Sequence, residues 1–399
     1  MLRDRDGSKV TDGVFGLIDE WGPEKIVVVS DRKSGMRGVL VLDNTARGTG
    51  KGGTRMSPSL TVQEVARLAR TMTWKWAAVD LFHGGAKAGI LGDPNDPNKE
   101  AILRAFARAL SNEVPSEYVF GLDMGLAEED AAIFLDELGD RGASMGLPRA
   151  LGGLPYDQLG VTGYGVAEAA EAAAQNRNIA LKGSRASIQG FGAVGQAAAV
   201  RLVELGAAVV AVSTAAGAVH DPNGLDVDKL VKLHAGAGDA CVRHYGSVLP
   251  ADTALTVDAD ILIPAACEDT VNDVIAASTN VKLVIEGANL PTSPNSRRIL
   301  HERGIAVVPD FIANAGGMVA AAHSMAARYS PFVLEPADIF TMISTKLRAN
   351  TTAVLDESNR AGLTPHQAAY ALAQKRVLEA MQLRRQVPKT ATDTIDVLV

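Results

Sequence analysis

The chain has 399 residues, 47% hydrophobic and 21% charged, with a net charge of −7, which suits a globular protein of two or more domains and excludes a disordered or fibrous one. It contains no block of five or more basic residues that would invite nucleic acid or an anionic membrane surface, and no apolar run reaches the ~18 residues of a membrane span. The two cysteines, Cys241 and Cys267, form no CxxC pair, and the opening MLRDRDGSKV is too charged for a signal peptide, so the expectation is a cytoplasmic, reduced protein that acts on small molecules and ligates no metal.

No internal repeat or low-complexity segment is present. KIVVVSDRKSGMRGVLVLDN at 25–44 predicts two strands joined by a turn at Ser34-Gly35. TVQEVARLARTMTWKWAAVD predicts a helix: Thr61 and Glu64 make a capping-box pair, and Val65, Leu68, Met72, Trp76 and Val79 recur at helical spacing. Lys75, three residues after Met72 and four before Val79, falls on the edge of that apolar stripe. There it either snorkels to water or requires a partner. Twelve residues on, DLFHGGAKAGI reads as a small-residue turn carrying Lys87. Apolar surroundings lower a lysine pKa towards that of a usable base; an ordinary loop lysine is the alternative. Neither GGAKAG nor GTGKGGTR has the GxxxxGK[ST] spacing of a phosphate-cradling loop.

RGASMGLPRALGGLPYDQLGV at 141–161 is rich in Gly and Pro and reads as a linker. From about 162 to 325 strands and helices alternate, which predicts a mainly parallel sheet with helices on both faces. After about 335 only helical patterns remain, and these are expected to pack back on the first domain.

Gly190, Gly192 and Gly195 form GxGxxG within SRASIQGFGAVGQAAAVRLVELGAAVVAVST. Such a motif is common by itself, but here a short strand ends at Gln189. A helix then follows through Val194, Ala198, Leu202 and Leu205, Gly206 stops it, and a second strand begins. In this βαβ setting the glycines admit a pyrophosphate close to the backbone, and the helix start supplies N–H groups for its charge. A tight turn without a ligand is the alternative. ADILIPAACE and VKLVIEGANLP are buried-strand runs, and ligands of open α/β sheets bind at carboxyl ends of strands. Asn289, and Asn314 after IAVVPDFIANAGG, are placed to meet a cofactor or to satisfy loop backbone. At the end of the second strand stand Ser213 and Thr214 rather than an acidic residue, so NAD and NADP both stay open.

KGGTR, MTWK, GGAKAG, GLDMG, TGYGV, the glycine fingerprint, EGAN and NAGG occur in this order from about residue 25 to 325. Together they resemble the glutamate, leucine, phenylalanine and valine dehydrogenase family. The resemblance implies an N-terminal α/β substrate-binding and oligomerisation domain over 1–160, joined by the helices of 335–399, and a Rossmann NAD(P)-binding domain over 161–334. It implies a homo-oligomer, a hexamer. In its terms Lys75 holds the substrate α-carboxylate, Lys87 activates a water and Asp123 shuttles protons. The cofactor meets Thr162, the turn Gly190-Phe191-Gly192-Ala193-Val194-Gly195, Ser213, Thr214, Asn289 and Asn314.

The implied reaction is reversible NAD(P)-dependent deamination of an L-amino acid to a 2-oxo acid and ammonia. Lys51, followed by Gly52, matches the lysine with which glutamate-specific members pair the side-chain carboxylate. Ala321 stands where those members carry a hydroxyl, GGTRMSP and AKAGILGDP look more like the leucine and phenylalanine branch, and His83 replaces an aromatic residue. Glutamate is the favoured substrate, with a branched-chain or other apolar amino acid as the alternative. A nucleotide-binding regulator without catalysis would have no packing reason to keep Lys75, Lys87 and Asp123 together. A 2-hydroxy-acid dehydrogenase is disfavoured because no histidine stands in an acid/base motif.

Overall fold

Alternation in residues 25–44 makes a hairpin in the computed structural model, which describes residues 13–154, 159–332 and 335–388. The first ten residues, and 155–158 of the expected linker, lie outside the described residues. Within that frame the chain divides into two compact units, one of 13–154, 321–332 and 373–388, the other of 159–320 and 335–372.

In the first unit β1 (Lys25–Asp31) pairs antiparallel with β2 (Met36–Asn44). Asp31 closes the turn by accepting from the Ser34 N–H and hydroxyl. β2 pairs antiparallel with β5 (Gly84–Leu91), and β3 (Gly50–Lys51), β4 (Thr54–Ser57) and β6 (Tyr118–Val119) run parallel within the same sheet, in the order β1-β2-β5-β3-β6 with β4 beside β5.

The GGAKAG run is therefore a buried strand, not a turn. Gly85 and Gly89 are there because helix α1 (Val62–Ala78) lies directly on it: a Cβ at Gly85 would sit 1.9 Å from Thr73 Oγ1, and one at Gly89 2.8 Å from Val65 Cγ2. Small residues inside a strand mark close approach as well as turns. The same contact rotates α1, so that Ala66, Ala69 and Thr73 are buried beside Val65 and Trp76 while Leu68 and Met72 are half-buried. Lys75 rides on that half-buried shoulder.

Across the sheet, α2 (Lys99–Ala109) and α3 (Glu128–Leu138) pack Leu103, Phe106 and Phe134 around Phe120, whose ring stacks on Phe134 at 4.2 Å. Within the expected linker, Ala143 and Met145 exchange backbone hydrogen bonds with Phe120, so this stretch is built into the unit.

The second unit holds a six-stranded sheet of β7 (Arg185–Gln189), β8 (Ala208–Thr214), β9 (Gly217–His220), β10 (Ile261–Pro264), β11 (Leu283–Ile285) and β12 (Ala306–Val308). Its order is β12-β11-β10-β7-β8-β9, parallel throughout except for the β8–β9 hairpin. The chain leaves β7 for β8 on one side and reaches β10 on the other, so the strand order reverses at β7, where doubly wound sheets open a ligand crevice.

Helix α4 (Val161–Asn176) packs on α5 (Ala193–Glu204), and a Cβ at Gly163 would meet the Val194 carbonyl at 2.1 Å. This close approach accounts for the first glycine of TGYGV, while a Cβ at the second, Gly165, would meet Leu347 Cδ2 at 2.5 Å. Helix α6 is Val227–Ala237, α7 Gly316–Ala326, α8 Pro336–Ala361 and α9 Pro365–Leu383.

The sequence sends every helix after 335 back to the first domain, but α8 belongs to the second unit. Its Ile339, Ile343 and Leu347 are buried, and its Ser344 and Arg348 reach the fully buried Glu168 of α4. That charge needs partners wherever it is buried. Residues 373–388 fall in the first unit, where Arg376 donates to the last carbonyls of α1, Ala77 and Ala78.

Candidate functional site

Three cationic side chains converge in the first unit because three elements meet at β5. Lys87 stands mid-strand opposite Val41 and alternates with Gly85 and Gly89, so it shares the face that α1 covers. Lys75 occupies the last turn of α1. Lys51 ends β3, and the two glycines after it let the chain pass its neighbours: a Cβ at Gly52 would lie 1.8 Å from the Ala86 carbonyl, and one at Gly53 2.8 Å from Asp123 Cβ. Two side chains fix this turn, as Trp76 Nε1 donates to the Lys51 carbonyl and the Tyr118 hydroxyl to that of Gly52, both at 2.9 Å.

Asp123 Oδ2 lies 2.6 Å from Lys87 Nζ and accepts from Arg55 Nε at 3.2 Å. Arg55 is held in turn by Glu64, at 2.6 Å. Only half of the capping box therefore forms: Thr61 Oγ1 caps the Glu64 N–H, while the Glu64 carboxylate is spent on Arg55.

Electrostatics set these groups apart. Burial lowers the Lys87 pKa, against the pull of Asp123. Burial would raise Asp123, but the charge and hydrogen bond of Lys87, the Met124 N–H and the Arg55 charge together hold the carboxyl below the usual range. Lys75 is near enough for its charge to bear on Lys87. Lys51 is only 5% exposed, and its ammonium donates to the carbonyls of Phe120 and Val119 at 3.2 and 3.4 Å. Burial, with the charges of Arg328 and Lys87, pushes its pKa down to about 7. Among the described residues no carboxylate offsets it.

His83 sets its ring edge-on to Trp76 at 4.9 Å, packing as an aromatic residue would, and burial with the charges of Lys51 and Arg328 pushes its pKa down to about 4. Ala321 is half-buried on α7. Arg328, just beyond that helix, donates to the Met325 carbonyl at 2.8 Å. Sequence reasoning missed Arg55 and Arg328. Alternation along TRMS could have raised Arg55; nothing local marks Arg328, since only the fold carries it near Lys51.

The fingerprint lies at the carboxyl end of β7. Gly190 adopts φ +94°, donates its N–H to the Ser213 carbonyl, and has no room for a Cβ, which would meet the Ala266 nitrogen at 2.7 Å. Gly195 likewise packs on the Gly190 carbonyl. Around Gly192 nothing lies within 4 Å of where a Cβ would be, and it is the N-cap of α5 with no side chain capping the helix.

Gly192 and Ala193 are exposed, Val194 half-buried, and Phe191 buried. Open space beside uncapped N–H groups fits the pyrophosphate of a dinucleotide. Thr214 donates its hydroxyl to the Asp239 carbonyl at 2.7 Å and closes the β8–β9 hairpin; Ser213 is buried beside it. Thr162 opens α4 against Gly316 and Gly317. Asn314 Nδ2 donates to Asn289 Oδ1 at 3.1 Å, so the two asparagines stand side by side at adjacent strand ends.

Beneath them lies a buried group that the sequence did not disclose. Glu286, the residue after β11, is fully buried, with Oε2 accepting from the Asp310 N–H at 2.9 Å and 3.1 Å from His366 Nε2. Burial would raise Glu286, yet its contacts with His366, Arg297 and Thr292 hold it below the usual carboxylate range. The ligand atoms of Glu286, Asp310 and His366 lie within 4.8 Å of one another, a spacing compatible with a metal ion. Both carboxylates already have donors or cations: Asp310 N–H and Arg297 at Glu286, Leu290 N–H at Asp310.

Comparison with known proteins bears on both units. Residues 152–385 match the model of the Glutamate/Leucine/Phenylalanine/Valine dehydrogenase family, and residues 23–139 match that of the Glu/Leu/Phe/Val dehydrogenase dimerisation domain. The chain is 34% identical to an NAD-specific glutamate dehydrogenase of Staphylococcus aureus (strain COL), over 86% of this chain and 84% of that protein. It is also 34% identical to an NADP-specific glutamate dehydrogenase of Saccharolobus shibatae, over 91% and 90%. Among solved structures it is similar to the hetero-hexameric glutamate dehydrogenase of Thermus thermophilus in a Leu-bound form, with a TM-score of 0.75 at 30% identity, covering 92% of each chain.

Proposed function

Because the chain belongs to the Glu/Leu/Phe/Val dehydrogenase family, we propose that it deaminates an L-amino acid oxidatively to its 2-oxo acid and ammonia, and runs the reverse reductive amination, with glutamate favoured and NAD or NADP as cofactor. The observation that carries this reading is the 2.6 Å contact of Lys87 with Asp123 beside the charge of Lys75. Bound NAD(P) supplies the oxidising power that turns the amino acid into its imine.

Lys75 holds the α-carboxylate. Lys87 Nζ, its proton loosened by burial, takes a proton from the water that adds to the imine carbon. Asp123 exchanges that proton with Lys87 and delivers one to the nitrogen as the C–N bond breaks. Ammonia leaves as the new hydroxyl gives its remaining proton to Lys87, and the carbon keeps the water oxygen as the ketone.

Lys51 supports glutamate. A buried ammonium with carbonyls for acceptors and no carboxylate beside it suits a substrate that brings its own second carboxylate. The relatives named as NAD-specific and NADP-specific glutamate dehydrogenases agree with this, and with either cofactor. The match of 23–139 to a dimerisation domain and the hexameric assembly named for the Thermus thermophilus relative support an oligomer.

The test is turnover of a panel of L-amino acids with each cofactor, followed by the absorbance of the reduced nicotinamide, for the wild type and Lys51→Leu. Glutamate should lead in the wild type, and the variant should lose glutamate activity while gaining on leucine or norvaline. Ala321, which offers a methyl in place of a hydroxyl, favours the second reading, an apolar substrate. That reading holds if the wild type prefers such a substrate and Lys51→Leu leaves the preference unchanged.

A further inference from the structure

The asparagine pair sits on two separate segments, one in the loop after β11 and one at the end of the short helix Asp310–Ala313 that follows β12, and something must fix the distance between them. Backbone pairing of the strands ends near Ile285 and Val308. Beyond that point the tie is made by side chains. Glu286 reaches from the first segment to the Asp310 N–H at the start of the second, and Asp310 returns the contact by accepting from the Leu290 N–H at 2.9 Å.

Leu290 follows Asn289 directly and is held at φ +50°, a left-handed conformation uncommon for a non-glycine residue. On the other side, Asn314 donates its N–H to the Asp310 carbonyl at 2.8 Å. Each asparagine is therefore one or two bonds from the Glu286–Asp310 tie. His366, near the start of α9, braces it from behind, with Nε2 3.1 Å from Glu286 Oε2 and its ring edge-on to Phe311 at 5.9 Å. Arg297 Nε stands 3.7 Å from the other Glu286 oxygen.

We propose that Glu286, with Asp310 and His366, is a positioning residue of the cofactor site, setting the spacing of Asn289 and Asn314 from a buried layer that touches neither cofactor nor substrate. A carboxylate suits this role because one oxygen accepts from the Asp310 N–H while its charge faces the His366 ring and the Arg297 guanidinium, which no neutral side chain of that shape would do. The proposal rests on the reading that the two asparagines meet the dinucleotide.

The test is equilibrium binding of NADH and NADPH to the intact protein without substrate, read from the fluorescence of the reduced nicotinamide, alongside steady-state kinetics and thermal melting. In Glu286→Ala the dissociation constant should rise about ten-fold or more, the loss expected when a buried charged hydrogen-bond partner is removed. KM for the amino acid should stay within about two-fold, since Lys51 and Lys75 are untouched. Glu286→Gln keeps an acceptor for the Asp310 N–H and should recover most of the affinity. His366→Phe keeps the contact with Phe311 but loses the nitrogen and should fall between the two.

Should Glu286→Ala fail to fold, Glu286→Gln and His366→Phe still decide the matter. Lower melting temperatures with unchanged cofactor affinity in these variants would make the group merely structural and overturn the proposal. Asn289→Ala separates the two readings. If it weakens cofactor binding while the Glu286 and His366 variants do not, the positioning role alone fails; if it has no effect, the asparagine reading fails and takes this one with it.

Discussion

A buried lysine is costly, and among the described residues two are buried, Lys51 and Lys87, for different ends. Lys87 has an anion at 2.6 Å, and Lys51 has none. Lys87→Met keeps the length of the side chain and removes the base. Turnover should fall by ~10²- to 10⁴-fold while cofactor affinity is retained, and wild-type turnover in that variant would rule out the assignment.

Lys51 makes a prediction about pH. Its folded pKa, about 7, lies below the ordinary lysine value of 10.5. Between these values the unfolded chain binds the proton and the folded one releases it, so Lys51 destabilises the protein increasingly as pH falls from 10.5 to 7, and by a constant amount below. Lys51→Leu should therefore raise the melting temperature of the substrate-free protein most at pH 7 and lower, with the gain fading towards pH 10. A gain independent of pH would mean that Lys51 keeps its proton throughout.

The elements that carry chemistry are shaped by how closely backbones approach. β5 is glycine-rich because α1 lies on it, and the fingerprint turn is glycine-rich because β7, the Ala266 loop and α5 crowd it on every side but one. Gly190→Ala would force a Cβ into the Ala266 nitrogen at a positive φ. Cofactor binding and stability should fall together, the latter by ~1–3 kcal/mol, as denaturant unfolding with and without NADH would show. At the end of β8, the Thr214 hydroxyl closes the hairpin instead of standing free. Thr214→Asp should raise the ratio of NAD to NADP activity by repelling a 2′-phosphate, and an unchanged ratio would place the ribose elsewhere.

At the scale of the whole molecule, the chain threads its two units in turn, and the C-terminal helices are divided between them. What keeps α8 with the second unit is Glu168, wholly buried and met by Arg201 at 2.8 Å, Arg348 at 2.5 Å and Ser344 at 2.6 Å; Arg348 also pairs with Glu171. Arg348→Ala leaves that carboxylate short of a partner. It should cost about 1.5–3 kcal/mol in denaturant unfolding, with kcat per folded molecule unchanged. A loss below about half a kcal/mol would mean that Arg201 and Ser344 satisfy Glu168 by themselves.

Local patterns sufficed for much of this protein. The hairpin at 25–44, the βαβ fingerprint and the mainly parallel sheet follow from periodicity and turn chemistry, which act over a few residues and leave their mark in sequence. Lys75, Lys87 and Asp123 were legible as a set through their motifs, although the strand that carries Lys87 read as a turn, because small residues serve close packing as well as bends. The tertiary structure alone decided which groups face one another. Arg328 bears on Lys51 and His366 on Glu286 across long stretches of chain, and α8 is held by a glutamate on α4. Burial and charge neighbours set each pKa, and both arise only when distant segments pack, so no spacing rule within one segment can announce them.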